Sequence, residues 1–439
     1  MPALSGRATV HQPLALRPAR KRLPQWAIPL AYSIAALLLG VLLPRIETQF
    51  LPALSAQLSV ASAMSIDSAI ASGMIALTGI VFSLAFVMVQ FGATAYSPRL
   101  VLWISSDPLL MHAIGVFTAT FLYAVAALAW IDRSGSGKVP ALSAWAVVVL
   151  LLASVCMFAG LIHRIGRLQI QSVLVFSAAR AREEIEALFP PLDSTPPAPP
   201  TPSFETLQAP QTLLHHGPPR TIQALDEAAL VAAARASGAV IEMVSAIGDT
   251  VGEGVPLLRV YGAAKAIPET MLRQAIVTGG ARTFEQDPKY AIYLLTDIGM
   301  RALSPAVNDP STAVQALDQI QDLLLRLGRR RLDVGALRDT DGQLRLVVPV
   351  PDWEDFLDLA LEQIRRYGAS DLEVVRRIRA LLVDLLAALP AERRPALRQH
   401  LERLEATIAR HFEEEDDVRL ASIADRQGLG AGRRRRPHA

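Results

Sequence analysis

Residues 69–91, AIASGMIALTGIVFSLAFVMVQF, decide the fold. The stretch contains no Asp, Glu, Lys or Arg, and about 20 apolar residues are enough to cross the hydrocarbon core of a bilayer as a helix. Three further stretches have the same character: Trp26–Leu43, Leu109–Ile131 and Ala141–Ile162. All four precede residue 163, and the remainder is charged and patterned mostly for helices. The chain therefore reads as an α-helical membrane protein. Four transmembrane helices (25–43, 69–91, 109–131, 141–162) precede a mostly helical α+β cytoplasmic region, which holds a small β hairpin or barrel-like subdomain.

Among its 439 residues, 51% are hydrophobic, and the mean hydropathy is +0.32. The net charge of +2 does not point to nucleic acid or an acidic substrate. Cys156 is the single cysteine, so no intrachain disulfide can form. The first apolar run is followed by Pro44, Arg45 and Glu47 rather than by a small-residue cleavage site, and reads as a retained helix. Arg7, Arg17, Arg20, Lys21 and Arg22 precede the first span, and His163, Arg164 and Arg167 follow the fourth. Basic flanks mark the cytoplasmic side, so both termini are expected there. Trp26 and Trp103 would sit near the inner interface, and Trp130 and Trp145 near the outer one. Arg133 and Lys138 in the hairpin at 132–140 run mildly against this orientation.

The domain layout expected is a basic N-terminus (1–24), a four-helix membrane domain (25–163) and a cytoplasmic extension of the fourth helix (164–189). A proline-rich linker (190–219), a small β-containing subdomain (220–265), a helical domain (266–420) and a basic tail (421–439) follow. Strands are expected at Arg220–Ala224, Gly238–Ala246 and Val255–Tyr261, with a helix at Asp226–Ala236 and a tight turn at Gly248–Gly254. Asp287-Pro288 and Asp309-Pro310 each place a capping aspartate before a first-turn proline, which predicts helices over 288–303 and 310–328. A hairpin turns at Asp341-Gly342, and helices close the chain over 352–367, 371–389 and 392–415. The terminal GRRRRPHA reads as a disordered tail that, like the basic N-terminus, could touch anionic lipid.

Two groups of residues are candidate sites. Ser72, Gly79, Ser83, Gln90 and Thr94 fall within a narrow arc of the second span, as a pore lining would. Small and hydroxyl residues also let helices pack closely, which is the plainer reading. No span carries a central charge, which disfavours an ion-coupled pump but leaves a passive channel open. In the cytoplasmic half, Gln286, Asp297, Arg301, Ser304, Asn308, Asp309 and Thr312 make a dense polar constellation that could hold a ligand. Capping and the i,i+4 pair Asp297–Arg301 would explain much of it without one. His112, His215-His216 and the acidic run at 411–417 are weaker candidates for a gate or a metal, and none has regular ligand spacing. No Walker, HExxH, GxSxG or CxxC pattern is present, so no catalytic residue, cofactor or metal is assigned and no enzyme activity is expected.

Gly248–Leu257 (GDTVGEGVPL) is similar to the hairpin of biotinyl and lipoyl carrier domains, but Ala264 stands where the modified lysine would fall. Several segments together carry a broader resemblance. They are VQFGATAYSPRL at 89–100, GVFTATFLY at 115–123, GDTVGEGVPL, EQDP at 285–288 and RALSPAVNDPSTA at 301–313. With the four spans they resemble the bacterial predicted membrane proteins grouped as domain of unknown function 2254, over about residues 25 to 420. The resemblance implies an inner-membrane location and no established activity.

Two functions fit these observations. The first is a homo-oligomeric channel or transporter-like protein, its second span lining the path and its cytoplasmic region gating it. The second is a non-conducting sensor or scaffold whose cytoplasmic domain binds a ligand or partner at 283–312. The partners expected are the lipid bilayer and further copies of the chain, and no nucleic acid.

Overall fold

The computed structural model describes residues 26–50, 59–91, 108–131, 139–165, 170–192 and 211–430. It divides into an N-terminal unit, Arg20–Gln169, and a C-terminal unit that begins at Ile170.

The N-terminal unit holds α1 (Ala27–Phe50), α2 (Val60–Phe91), α3 (Pro108–Leu128) and α4 (Ala141–Ile165). All four are long and apolar enough to cross a membrane. The third helix sits at the centre and packs against the other three, which is why Ala113, Phe117, Tyr123 and Ala124 are buried. Glycines let its backbone approach α1: a Cβ on Gly115 would lie 2.7 Å from Tyr32 Cδ2, and one on Gly40 2.6 Å from Ala126 Cβ. Close approach through small residues replaces the hydrophobic drive that is absent between helices in lipid. Polar side chains add cross-links: Thr120 Oγ1 lies 2.9 Å from Ser154 Oγ on α4, and Tyr32 Oη lies 3.3 Å from Nδ1 of His112.

Two helices run further than the apolar pattern predicts. Expected to stop before Pro44, α1 continues to Phe50. The second helix begins at Val60 rather than at 69, with Ser59 Oγ accepting from the amide of Ser62 at 3.1 Å as its cap. Both extensions carry a carboxylate, Glu47 and Asp67, and both carboxylates are buried. They escape a hydropathy window because a charge ends it, whichever way the side chain points. The region 166–169, across which one continuous helix was expected, lies outside the described residues.

In the C-terminal unit, α5 (Ile170–Leu188) packs on α8 (Pro288–Ala302) and α9 (Pro310–Gly328). Arg182 pairs with Asp322 at 2.6 Å, and Arg326 with Glu186 at 2.8 Å, across that contact. Between them in sequence lie β1 (Gln211–Leu214), β2 (Arg220–Leu225), α6 (Glu227–Ala236), β3 (Val240–Met243), β4 (Thr250–Val251), β5 (Pro256–Tyr261), α7 (Glu269–Gln274) and β6 (Ile276–Gly279). The chain closes with β7 (Ala336–Arg338), β8 (Leu344–Val347), α10 (Trp353–Tyr367), α11 (Leu372–Ala388), α12 (Arg394–His411) and α13 (Glu415–Ala421). The strands form two sheets, in the orders β1-β5-β3-β8-β7 and β4-β2-β6. All pairings are antiparallel except β3 with β8. Leu213, Ile222, Leu230, Ile241, Leu258 and Leu346 share one apolar core.

The expected starts at Asp287-Pro288 and Asp309-Pro310 are observed, each aspartate accepting the amide three residues on. Along α9, Ala313, Ala316, Leu317, Ile320, Leu324 and Leu327 recur at helical spacing and are all buried. Four local readings need correction. Residues 211–219, placed in a proline-rich linker, form β1 and the turn into β2, because β1 pairs with β5, more than 40 residues on. Pro190–Leu192 is likewise tied down, to Arg329 and Arg331 by backbone hydrogen bonds; 193–210 lies outside the described residues. Residues 250–251, read as turn, pair with β2, and 276–279, read within a helical region, form β6 on its other edge. Of the expected tail, 422–430 packs back on α11: buried Arg376 holds the carbonyls of Ile423 and Gly430, and Arg426 pairs with Asp384 at 2.6 Å. The four arginines at 433–436 lie outside the described residues.

Candidate functional site

The polar arc of α2 points away from its own bundle. Ser72, Gly79, Ser83 and Gln90 are exposed, whereas Ala63, Asp67, Ala71, Met74 and Val81 face inward. Thr94, the fifth member expected, lies outside the described residues. Ser83 Oγ donates to the carbonyl of Gly79 at 3.0 Å, so its hydroxyl is satisfied within the helix. A Cβ added to Gly79 would meet nothing within 4 Å. This face is small and weakly polar, and it lies opposite the face of α2 that packs on the bundle.

The second group of candidates divides in two. Gln286 lies just before α8, and the other six lie towards or beyond its far end. A helix over 288–302 separates those ends by about 21 Å at 1.5 Å per residue. At the far end, Arg301 and Asp297 approach to 3.5 Å, and Ser304 Oγ donates to the carbonyl of Arg301 at 2.7 Å. Asn308 takes a φ of +49°, a left-handed conformation that asparagine tolerates better than most residues. That turn brings the amide of Asp309 to 2.7 Å from the carbonyl of Ala302, closing α8, and Asp309 then caps α9. Thr312 donates its hydroxyl to Asp309 at 2.6 Å. The RALSPAVNDPST segment is thus a corner that stops one helix and starts the next, using Asp309, Ser304 and Thr312 for that purpose.

At the near end the geometry differs. Gln286 also has a positive φ, +54°, and its amide bridges to β2: Oε1 accepts from Leu225 N at 2.9 Å, and Nε2 donates to Leu225 O at 3.0 Å. Asp287, buried, receives Nε and Nη2 of Arg282 at 2.8 and 3.1 Å. Burial pushes the Asp287 carboxyl above the usual aspartate range, against the pull of Arg282. The Arg282 guanidinium in turn lies over Gly248, where a Cβ would come within 2.2 Å of Nη2 and where φ is +90°. GDTVGEGVPL and EQDP therefore meet through one arginine that neither contains. Around it is a cavity of about 280 Å³ whose polar lining includes Glu227, Asp249, Arg282, Gln286, Asp287 and Lys289. Mixed charge beside apolar wall suits a small polar ligand better than an apolar one.

A further cluster was not foreseen. Asp358 and Glu362, one turn apart on α10, and His400 on α12 offer ligand atoms within 4.8 Å of one another. The i,i+4 carboxylates were legible in sequence; His400, some 40 residues later, was not. Arginines already occupy the carboxylates: Arg403 reaches Asp358 at 2.9 Å, while Arg365 and Arg366 reach Glu362 at 2.7 and 2.8 Å. Burial would raise Glu362, but those arginines outweigh it and hold the carboxyl below its ordinary range. Three guanidinium groups beside two carboxylates make an ion-pair network rather than a cation site. The acidic run after α12 gathers no such cluster, and His411 Nδ1 lies 2.9 Å from its own helix at Thr407 O.

Uncharacterized proteins of Mycobacterium bovis and of Mycobacterium tuberculosis are 27% identical to this chain over 384 residues, covering 82% of it and 72% of each relative. No solved structure matches. The family model described as "Predicted membrane protein (DUF2254)" matches residues 22–384, so four apolar helices, both β sheets and α8 to α10 all fall within it, and the chain belongs to that family.

Proposed function

We propose that this protein is a multi-pass inner-membrane protein that assembles as a homo-oligomer and conducts a small solute or ion between its copies. The observation that supports this is the outward polar face of α2. Ser72, Gly79, Ser83 and Gln90 form one exposed arc on a helix whose opposite face is buried. Copies brought together on that arc would surround the path with hydroxyl, amide and backbone groups, which suits passive conduction without a central charge. The basic flanks of the first and fourth spans support placing both termini in the cytoplasm. The C-terminal unit would then be cytoplasmic, and its role would be to gate.

Two experiments test the reading together. In a Cys156→Ala background, single cysteines at Ser72, Gly79 or Ser83 should cross-link between copies, while one at the buried Ala71 should not. Purified protein in liposomes should pass small ions, and Gln90→Leu should reduce that flux. Equal cross-linking at buried and exposed positions, or no flux from an oligomeric folded sample, would overturn it. The cavity beside Arg282 supports a second reading, a non-conducting sensor. There, a small polar ligand would stabilise the full-length protein, and Lys289→Ala would abolish the effect.

A further inference from the structure

Where α1 ends and α4 begins, two carboxylates sit inside apolar helices. Glu47, 2% exposed, is fully engaged: its oxygens accept from the amides of Ala141, Leu142 and Ser143. The free N–H groups and the positive end of the α4 dipole compensate its charge. Asp67, in the first third of α2, is as deeply buried at 5% exposed, yet no described group donates a hydrogen bond to it. It lines a cavity of about 150 Å³ among α2, α3 and α4, with Ala63, Ala127, Ser143, Ala144 and Trp145. The Ser143 hydroxyl is already 3.2 Å from Tyr123 Oη. An ionisable side chain within a span is costly and needs a partner. Among the described side chains, Glu47, Ser143 and Tyr123 have partners, and the Asp67 carboxylate lines the cavity.

The charge asks for a cation, and the walls decide which kind. A hard metal ion takes about six oxygen ligands, but the lining side chains offer oxygens only from Asp67 and Ser143. An alkylammonium group needs less: one carboxylate and an apolar wall for its carbon, which Ala63, Ala127, Ala144 and Trp145 line here. We infer that Asp67 anchors a small alkylammonium group in this cavity, supplied either by a free amine or by an ethanolamine lipid headgroup. The site faces inward on α2, opposite the arc proposed for conduction, and does not depend on that proposal.

The probe is ethylammonium chloride, added to full-length protein in detergent and compared with sodium chloride at equal ionic strength. At concentrations well above Kd, the unfolding temperature should rise by on the order of 3 °C. Asp67→Asn should abolish the rise while unfolding no lower than wild type in sodium chloride, since no described group pairs with the charge removed. Ala144→Leu, which narrows the cavity and keeps the carboxylate, should abolish it too. In nanodiscs of phosphatidylglycerol, adding phosphatidylethanolamine should reproduce the stabilisation, again only with Asp67 present, if the headgroup is the source. If a free amine is the source, only ethylammonium will act. Equal responses in wild type and Asp67→Asn, or no wild-type response to either probe, would overturn the assignment. Because Gln90→Leu reads conduction and Asp67→Asn reads amine binding, failure of one leaves the other standing.

Discussion

Replacing Arg282 with methionine tests whether one ion pair joins the sheet region to α8. The substitution keeps the aliphatic stem and removes both hydrogen bonds to Asp287, at 2.8 and 3.1 Å. Asp287 stays in place, because its cap bond to the amide of Tyr290, 3.1 Å, is independent of the arginine. What remains is a buried carboxylate without its counter-charge. Removing one partner of a buried pair costs about 3–5 kcal/mol. The Arg282 side chain is 32% exposed, so water can replace part of the loss, and about 2 kcal/mol is the figure to expect at neutral pH. For a unit of this size that lowers the unfolding temperature by roughly 4–8 °C. The pH dependence carries the sharper test. The Asp287 carboxyl is already raised by burial, and losing Arg282 raises it further. A raised acid binds its proton more tightly in the folded state, so the penalty is present above its folded value and shrinks as pH falls through it. Thermal unfolding of the full-length protein between pH 7 and 4.5 should therefore show the two curves converging on the acid side. A variant within roughly 1 °C of wild type at pH 7, or a gap that widens towards acid, would refute the reasoning.

Gly248→Ala should cost more than a usual glycine substitution, about 2 kcal/mol or more, because φ is +90° and the new Cβ would press on the Arg282 guanidinium. Combined with Arg282→Met it should cost less than the two separately, which a double-mutant cycle by chemical denaturation would show. Gln286→Ala leaves Leu225 N–H and C=O without their partners and should lose about 2 kcal/mol, measured the same way. Burial lowers His400 below its ordinary value of 6.5. A lowered base is stable while neutral and loses that stability as pH falls below 6.5, so His400→Gln should unfold less readily than wild type between pH 6.5 and 5 relative to pH 8. Glu47→Ala strips the amides of α4 of their acceptor and should lower the unfolding temperature in detergent by a few degrees, at about 1 kcal/mol for a lost cap.

Much of this architecture was local, and local patterns are legible in a sequence. Uninterrupted apolar runs mark the four spans, because satisfying the backbone in lipid demands a helix whatever the neighbours do. Asp-Pro marks α8 and α9 because a cap and a fixed φ act within one turn. Asp341-Gly342 marks the β7–β8 hairpin for the same reason. What the residues alone did not reveal depends on partners far along the chain. The strands β1, β4 and β6 are two to four residues long and exist only through pairing with β5 and β2. The helical portions carrying Glu47 and Asp67 look like loop by composition, and only packing against α3 and α4 shows each charge turned inward. The polar arc of α2 was visible from its spacing, but whether it faced its own bundle or another copy was not. Likewise the 283–312 constellation looked continuous in sequence until the rise of α8 separated Gln286 from Asn308. Periodicity determines which side chains share a face; only the tertiary structure decides what that face meets.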